Sequence, residues 1–319
     1  MAGTQASYVI VDVFAHQRLK GNPLAIVDIT SLPLTQERKQ QIALEFNLSE
    51  TVFLHNGGST QNIRAEIFTP VNEMEFAGHP VIGTGHLLFR KLLNQTQHPA
   101  SGPHMQTLET RAGPVKIEYN PKSQIVSAQV PHNVHIHATE TPLSALKAIQ
   151  PCLGATSRLT TTTTSWPTVS IVKGVTYVLA DLTETPEVFG KISAGESPQV
   201  ELDEGWSPSF VGTMYYRTLG LRIETETDTK IWELRVRMIA INVEDPACGS
   251  GSCSLAAYLA LQEGAGSRKH RFLIDQGSEI GRDSHIVVDV ELTEDRRRVS
   301  SVKLAGPAAF VAEGKIFVD

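Results

Sequence analysis

Two glycine-containing loops, each followed by an apolar helical stretch, constrain the fold of this chain more than any other feature. The first loop covers residues 69–79 and leads into a predicted helix, VIGTGHLLFRKLL, opened by Pro80 because proline suits a first helical position. The second loop covers residues 242–250 and leads into a predicted helix over 253–262 that ends at Gly264. Strand-like stretches precede both loops, so the sequence predicts two α/β halves of similar layout.

The boundary between the halves is predicted near Pro131, where a polar stretch dotted with histidines, NVHIHATETP, begins. The expected domains are residues 1–130 and 131–319, with the last strands able to return to the first half. A chain of 319 residues is long for one hydrophobic core and fits two domains of ordinary size. Within the first half, helical periodicity over 35–46 starts at Thr35, a residue type that caps helix N-termini.

Composition excludes several classes of protein. The hydrophobic share of 41% and the charged share of 19% are typical of a soluble globular chain, and the net charge of −6 argues against a nucleic-acid partner. No apolar run approaches membrane-spanning length, and the N-terminal sequence does not have the pattern of a signal peptide. The three cysteines cannot form a disulfide framework, so we expect a cytoplasmic protein.

The two loop-to-helix junctions are candidates for binding an anion. The first turn of a helix has backbone N–H groups without partners and a partial positive charge, and glycines let a ligand approach that backbone closely. Two such helix starts facing one another can bind a carboxylate and stabilise the enolate formed when its α-proton leaves. The substrate-binding candidates are Gly78, Gly249, Ser250 and Gly251.

Proton transfer at carbon needs an acid and a base, and the candidates are Glu50, His79, Asp245 and Cys248. A cysteine at a helix start has a lowered pKa, and a carboxylate in a dry cleft has a raised pKa, so both can exchange protons near neutral pH. Each residue also has a purely structural interpretation. Glu50 could be a surface carboxylate, and His79 a capping or packing histidine. Asp245 could be a turn residue, and Cys248 a small buried hydrophobe.

Nucleotide and metal sites are not predicted. No Lys-Ser/Thr pair follows Gly249-Ser250-Gly251, and the three-glycine dinucleotide fingerprint is absent. His132, His135 and His137 invite a metal interpretation, and the last two would share one strand face. No cysteine or carboxylate stands at ligand spacing beside them, so we expect no metal site there.

Several motifs together resemble the PhzF-like isomerases of phenazine biosynthesis, which share the diaminopimelate epimerase fold. They are VDVFAHQRLKGNPLAIV, NLSETVFL, FTPVNEMEFAGHPVIGTGHLL, EDPACGSGSCSLAAYL and the C-terminal stretch beginning QGSEIGRDSHIVVDV. The resemblance implies an α+β protein of two pseudo-symmetric domains, each a mostly antiparallel sheet wrapped around a central helix, with the site between them. It also implies a small-molecule substrate, no cofactor, and a homodimer.

The same resemblance assigns roles to individual residues. Glu50 matches the proton-shuttling glutamate of the family, and Gly78 and His79 match its GH pair. Asp245 matches the aspartate of the second loop. Gly249 and Ser250 match the GS pair that helps to hold substrate.

One departure from the family leaves two mechanisms open. Many members have threonine in place of Cys248, whereas Ala247 to Gly251 resembles the A-C-G-T-G of diaminopimelate epimerases and proline racemases, which use two thiols. The second thiol would fall at Ala77, so the two-thiol mechanism is excluded. Either Glu50 alone moves the proton, aided by His79 and Asp245, or Glu50 and Cys248 act as an unequal pair. The first is preferred.

Two further functions are carried as alternatives. A non-catalytic binding or regulatory protein could keep the same fold, because fold alone does not give function. A hydrolase using Cys248 as nucleophile with a histidine is the weaker of the two. Exchange of substrate protons with solvent separates an isomerase from both.

Overall fold

The computed structural model describes residues 3–56, 63–95, 102–154, 163–263 and 266–319, and it has an α+β fold. The helices are α1 Gln36–Phe46, α2 Gly78–Gln95, α3 Leu143–Ile149, α4 Pro186–Phe189 and α5 Gly249–Gln262. The strands are β1 Gln5–Val13, β2 Asn22–Asp28, β3 Thr51–Asn56, β4 Ile63–Phe68, β5 Glu73–Met74, β6 His104–Thr110, β7 Gly113–Asn120, β8 Ile125–Gln129, β9 His135–Ile136, β10 Thr141–Pro142, β11 Ser165–Trp166, β12 Thr168–Val172, β13 Val175–Asp181, β14 Phe210–Glu224, β15 Thr229–Ala240, β16 Val243–Asp245, β17 Lys269–Gln276, β18 Ser284–Leu292, β19 Val299–Gly306 and β20 Ala308–Phe317.

The chain divides into two compact units. One consists of Met1–Val130 together with Ala305–Asp319, and the other is Pro131–Leu304. We refer to them as the N-terminal unit and the C-terminal unit. No helix in the described ranges is long and apolar enough to cross a membrane.

The N-terminal unit is a mostly antiparallel sheet packed around α2. Strand β1 pairs antiparallel with β2 on one side and with β20 on the other, while β2 and β3 run parallel. Helix α2 contacts β1, β2, β3, β7, β8 and β20. At Gly83 the helix lies so close to the sheet that an added Cβ would come within 2.6 Å of Leu24 and 2.8 Å of Val13, and this contact requires glycine.

The C-terminal unit surrounds α5 in a similar manner. Helix α5 contacts β12, β13, β14, β17 and β18, and most of its side chains are buried. The pairs β12–β13, β14–β15 and β17–β18 are antiparallel, whereas β13–β14 and β15–β17 are parallel. A helix that is apolar nearly all round needs such enclosure to keep its side chains from water.

The structure confirms the predicted α1 and corrects the starts of α2 and α5. The Thr35 side chain accepts a hydrogen bond from the Arg38 N–H, as its capping role requires. Helix α2 begins at Gly78, so Pro80 is its third residue; proline fits there because N–H groups of the first turn have no intrahelical acceptor. Helix α5 begins at Gly249, four residues before the predicted start, and Gly264 lies outside the described residues.

Candidate functional site

In the N-terminal unit, Glu50 provides a buried carboxylate immediately before β3. Only 16% of its side chain is exposed, and Oε2 accepts no hydrogen bond from the described residues. Burial raises the pKa of this carboxyl to about 7, although a hydrogen bond from Ser49 acts in the opposite direction. An ordinary surface carboxylate would titrate near 4.5, so Glu50 is not one.

His79 lies beside this carboxylate in the first turn of α2. Its Nδ1 atom is 3.5 Å from Oε2 of Glu50, and its side chain is only 6% exposed. The preceding residue, Gly78, is buried and is the first residue of the helix. The positive end of the helix dipole is therefore close to the Glu50 carboxylate and favours negative charge there.

In the C-terminal unit, the loop before α5 is held by Gln276 at the end of β17. The Gln276 side chain donates to the carbonyl oxygen of Asp245 (2.6 Å) and accepts from the N–H of Cys248 (3.2 Å). The Asp245 carboxylate accepts from the N–H of Ala247 (2.9 Å). The sequence analysis missed Gln276, because a contact between residues this far apart leaves no local signal.

Cys248 is the N-cap of α5. Its Sγ atom accepts a hydrogen bond from the N–H of Gly251 at 3.3 Å. The pKa of the thiol is raised to about 12, mainly by burial and to a smaller extent by the nearby negative charge of Asp245. The expectation of a lowered pKa at a helix start was therefore wrong, because loss of hydration outweighs the helix dipole in this position. Cys248 is a protonated thiol at neutral pH.

Tyr177 of β13 is a second residue that the sequence analysis missed. Its hydroxyl group lies 2.7 Å from Oγ of Ser250 and 3.3 Å from Sγ of Cys248, and the side chain is fully buried. Burial raises the pKa of this phenol well above its usual value of 10. Within the C-terminal unit, Sγ of Cys248 contacts Tyr177, Ser250 and the N–H of Gly251.

The first amides of α5 form a site suited to an anion. The N–H groups of Gly249 and Ser250 have no hydrogen-bond partner among the described residues, because Cys248 caps only the amide of Gly251. Gly251 is tightly packed, since an added Cβ would collide with the sulfur of Met214. Two unsatisfied amides at a helix start are arranged to receive a carboxylate or an enolate oxygen.

The structure thus groups the predicted residues into two clusters, one in each unit. Glu50, Gly78 and His79 lie together in the N-terminal unit. Asp245, Cys248, Gly249, Ser250 and Gly251 lie together at the start of α5 in the C-terminal unit, joined there by Tyr177 and Gln276.

The histidines near the unit boundary form a separate cluster with Asp203. One ligand atom each of His135, His137 and Asp203 lies within 4.8 Å of the others, so a carboxylate that is distant in sequence is near in space. Both nitrogens of His137 are nevertheless engaged: Nδ1 accepts from the N–H of Asp203 (3.1 Å), and Nε2 bonds to the hydroxyl of Ser170 (2.9 Å). His135 bonds to the same aspartate and stacks on Trp206. These contacts explain the cluster as a fixed polar network.

Residues 11–314 match the family described as phenazine biosynthesis-like protein, PhzC-PhzF. The chain belongs to this family. The matched range includes every candidate site residue named above, and the family predicted from the sequence motifs is confirmed.

Individual PhzC-PhzF relatives align along nearly the whole chain. An uncharacterized isomerase of Mesorhizobium japonicum is 30% identical, with 98% of this chain and 99% of that protein covered. The trans-2,3-dihydro-3-hydroxyanthranilate isomerase of Pseudomonas aeruginosa is 29% identical over the same shares. A Bacillus anthracis phenazine biosynthesis protein of the PhzF family has a TM-score of 0.69 at 20% identity, covering 98% of this chain and 99% of that one. The last similarity supports the fold.

Proposed function

We propose that this protein is a cofactor-independent isomerase that moves a proton on a small carboxylate-bearing molecule. The observation that carries the proposal is the buried Glu50 carboxyl, whose pKa of about 7 lies near physiological pH and whose Oε2 is 3.5 Å from His79. A general base works best when its pKa is near the working pH, because both of its protonation states are then accessible.

In the proposed reaction, Glu50 removes a proton from a carbon next to an electron-withdrawing group. The electron pair of the broken C–H bond moves into that group and produces an enolate-like anion. Glu50 then returns the proton to a different position of the same molecule, and no other reactant is needed. His79 and the start of α2 lie where they can stabilise the charged carboxylate between these two steps.

Substrate binding is assigned to the start of α5. The amides of Gly249 and Ser250 would hold the carboxylate group of the substrate, and Asp245 would position it from the preceding loop. The proposal requires the clusters of both units to act on one substrate molecule, in a cleft between the two domains. The homodimer and the cytoplasmic location expected from the sequence are retained as parts of this proposal.

A single-base mechanism is preferred to a pair formed by Glu50 and Cys248. A thiol with a pKa of about 12 is poorly suited to exchange protons at neutral pH, and the Sγ lone pair already accepts from Gly251. Ala77 stands where the second thiol of a racemase would be. The names of the relatives support an isomerisation, and one of them acts on an anthranilate derivative, which bears a carboxylate.

The decisive experiment is solvent deuterium incorporation into a panel of small amino acids, hydroxy acids and dienes. We expect one class of compound to exchange, and we expect Glu50→Gln to reduce exchange by about 10²–10⁴-fold, the usual contribution of a general base. Glu45→Gln is the matched control, because Glu45 is an exposed carboxylate in the same unit. A compound that binds tightly but does not exchange would instead identify a non-catalytic binding protein.

A further inference from the structure

The N-terminal unit has an open surface depression, referred to below as the cavity, that the proposed isomerase function does not use. It has a volume of about 570 Å³ and is lined by His16, Gln17, Arg18, Arg90, Ala309 and Phe310. This volume is within the range of small-molecule sites, roughly 300–1,000 Å³. Arg90 lies on α2 twelve residues after Gly78, which places it about 18 Å along the helix from the Glu50 and His79 cluster.

Two arginines in this cavity are held by a single residue. Nε of Arg18 donates to the carbonyl oxygen of Phe310 at 2.7 Å, which leaves the two terminal nitrogens of its guanidinium free of that bond. The guanidinium of Arg90 lies over the aromatic ring of Phe310, 4.3 Å from its centre. Both positive groups are thus anchored to Phe310, and anchoring of this kind lowers the entropic cost of ordering two exposed side chains when a ligand binds.

Neither arginine has a carboxylate partner. Arg18 and Arg90 form no ion pair with the described residues, and the residues outside the described ranges include no Asp or Glu. Seven other arginines do pair with a carboxylate: Arg64, Arg111, Arg222, Arg235, Arg237, Arg268 and Arg271. Arg18 and Arg90 are both exposed, and two positive charges at one depression repel each other unless an anion lies near them.

We infer that this cavity binds a small organic molecule with a dianionic oxygen group, such as a phosphate ester or a dicarboxylate. The planar guanidinium group matches both of these groups with paired N–H donors, and two guanidiniums in one cavity match a double negative charge. Gln17 adds a polar contact, and Ala309 with the Phe310 ring offers an apolar wall. The site is distinct from the helix starts that hold the substrate in the proposed reaction.

The test uses the full-length protein and three probes: inorganic phosphate, pyrophosphate and succinate. Binding is measured by calorimetric titration and by the midpoint of thermal unfolding, with sodium chloride at matched ionic strength as the reference. We expect at least one probe to bind saturably, and the comparison of phosphate with succinate separates a phosphate site from a dicarboxylate site. If no probe binds more strongly than chloride, the inference is wrong.

Matched variants localise the binding. The double variant Arg18→Gln with Arg90→Gln should lower the affinity for the probe at least about tenfold. Each lost hydrogen bond to a charged group is worth that much or more. Replacement of both arginines by lysine keeps the positive charge but loses the paired N–H donors of the planar guanidinium group. This variant should weaken probe binding to an intermediate extent. Arg297→Gln removes an exposed arginine of the C-terminal unit and should have no effect. An equal loss in this control would overturn the inference.

A final comparison separates this cavity from the proposed active site. Arg18→Gln with Arg90→Gln should leave deuterium exchange into the substrate intact, whereas Glu50→Gln should leave probe binding intact. If the probe is instead lost on replacing Ser250 and kept in the arginine variant, the anion binds at the start of α5. In that case the cavity has no role as a binding site.

Discussion

The Glu50 carboxylate faces Nδ1 of His79 at 3.5 Å, at the positive end of α2. The carboxylate is largely buried, and burial raises its pKa to about 7. The helix start favours the ionised carboxylate, whereas burial favours the protonated form. Because the pKa of the Glu50 carboxyl is near 7, the group can both accept and return a proton at neutral pH.

The first prediction concerns the pH dependence of exchange. Because Glu50 must be ionised to accept a proton, deuterium exchange should rise with pH and reach half of its plateau near pH 7. Replacing Glu50 by aspartate should lower the rate while a titration remains visible. The measurement is the exchange rate against pH at substrate concentrations well below KM, which reports the pKa of the free enzyme. A rate that is flat across neutral pH would contradict the role of Glu50.

The second prediction concerns stability. The folded-state pKa of Glu50 is above the usual 4.5, so the folded protein binds this proton more tightly than the unfolded chain does. Its contribution is therefore most favourable below about pH 4.5 and is lost as pH rises towards 7, by about 3 kcal/mol. The Glu50→Gln variant has no titrating group at this position. Its free energy of unfolding should therefore increase relative to that of the wild type as pH rises through this range. Urea unfolding at a series of pH values measures the difference, and Glu45→Gln should show none.

The third prediction separates the cap role of Cys248 from a catalytic one. Cys248→Ser replaces the sulfur with an oxygen that can also cap α5, and it should change deuterium exchange by less than about tenfold, well below the roughly 10²–10⁴-fold effect of losing a general acid or base. Cys248→Ala loses the cap and should cost about 1 kcal/mol of stability. A loss of several hundredfold in the serine variant would favour the mechanism that pairs Glu50 with Cys248.

The fourth prediction addresses the hydroxyl of Tyr177, which bonds to Ser250. Tyr177→Phe removes the hydrogen bond to Ser250, worth about 1 kcal/mol, together with the longer contact to Cys248. We expect KM to increase about fivefold while kcat changes little, because the substrate carboxylate is held less well. Tyr215→Phe is the control, since Tyr215 is also buried in the C-terminal unit but bonds to neither Ser250 nor Cys248. Equal effects of both replacements would mean that Tyr177 acts only on stability.

The fifth prediction concerns the strand that carries Asp245. Arg237 of β15 forms a buried two-point ion pair with Glu244 of β16, at 2.8 and 2.6 Å, and also donates to the carbonyl of Phe189. Arg237→Met leaves Glu244 charged and buried, and should cost about 3–5 kcal/mol. Adding Glu244→Leu should recover a substantial part of that loss in urea unfolding. A double variant no more stable than the single one would contradict this account of the pair.

The helices were largely predictable from the sequence because they depend on local patterns. The cap at Thr35, the helical periodicity of α1 and the apolar run of α2 act within a few residues of the chain. The start of α5 was missed because its first turn is rich in glycine and serine, which have weak helix propensity, and because a thiol is not among the usual caps. Helix α5 begins before its predicted start because tertiary packing buries its first turn.

The candidate site was only partly predictable. The motifs identified Glu50, His79 and the loop before α5, and the raised pKa expected of a carboxylate in a dry site is found at Glu50. Tyr177 and Gln276 come from strands far along the chain, so only the folded structure brings them to the loop. The pKa of Cys248 was predicted in the wrong direction because the balance between hydration and helix dipole is set by three-dimensional packing.

The pairing of β1 with β20 has a consequence for synthesis on the ribosome. Gln5 lies opposite Phe317, so the unit whose first strand is translated earliest cannot complete its sheet until the last strand has been made. The C-terminal unit, by contrast, is one continuous segment. In the growing polypeptide, β1 therefore has an open edge until β20 has been translated, and this edge is where nascent chains would be most prone to aggregate or to need a chaperone.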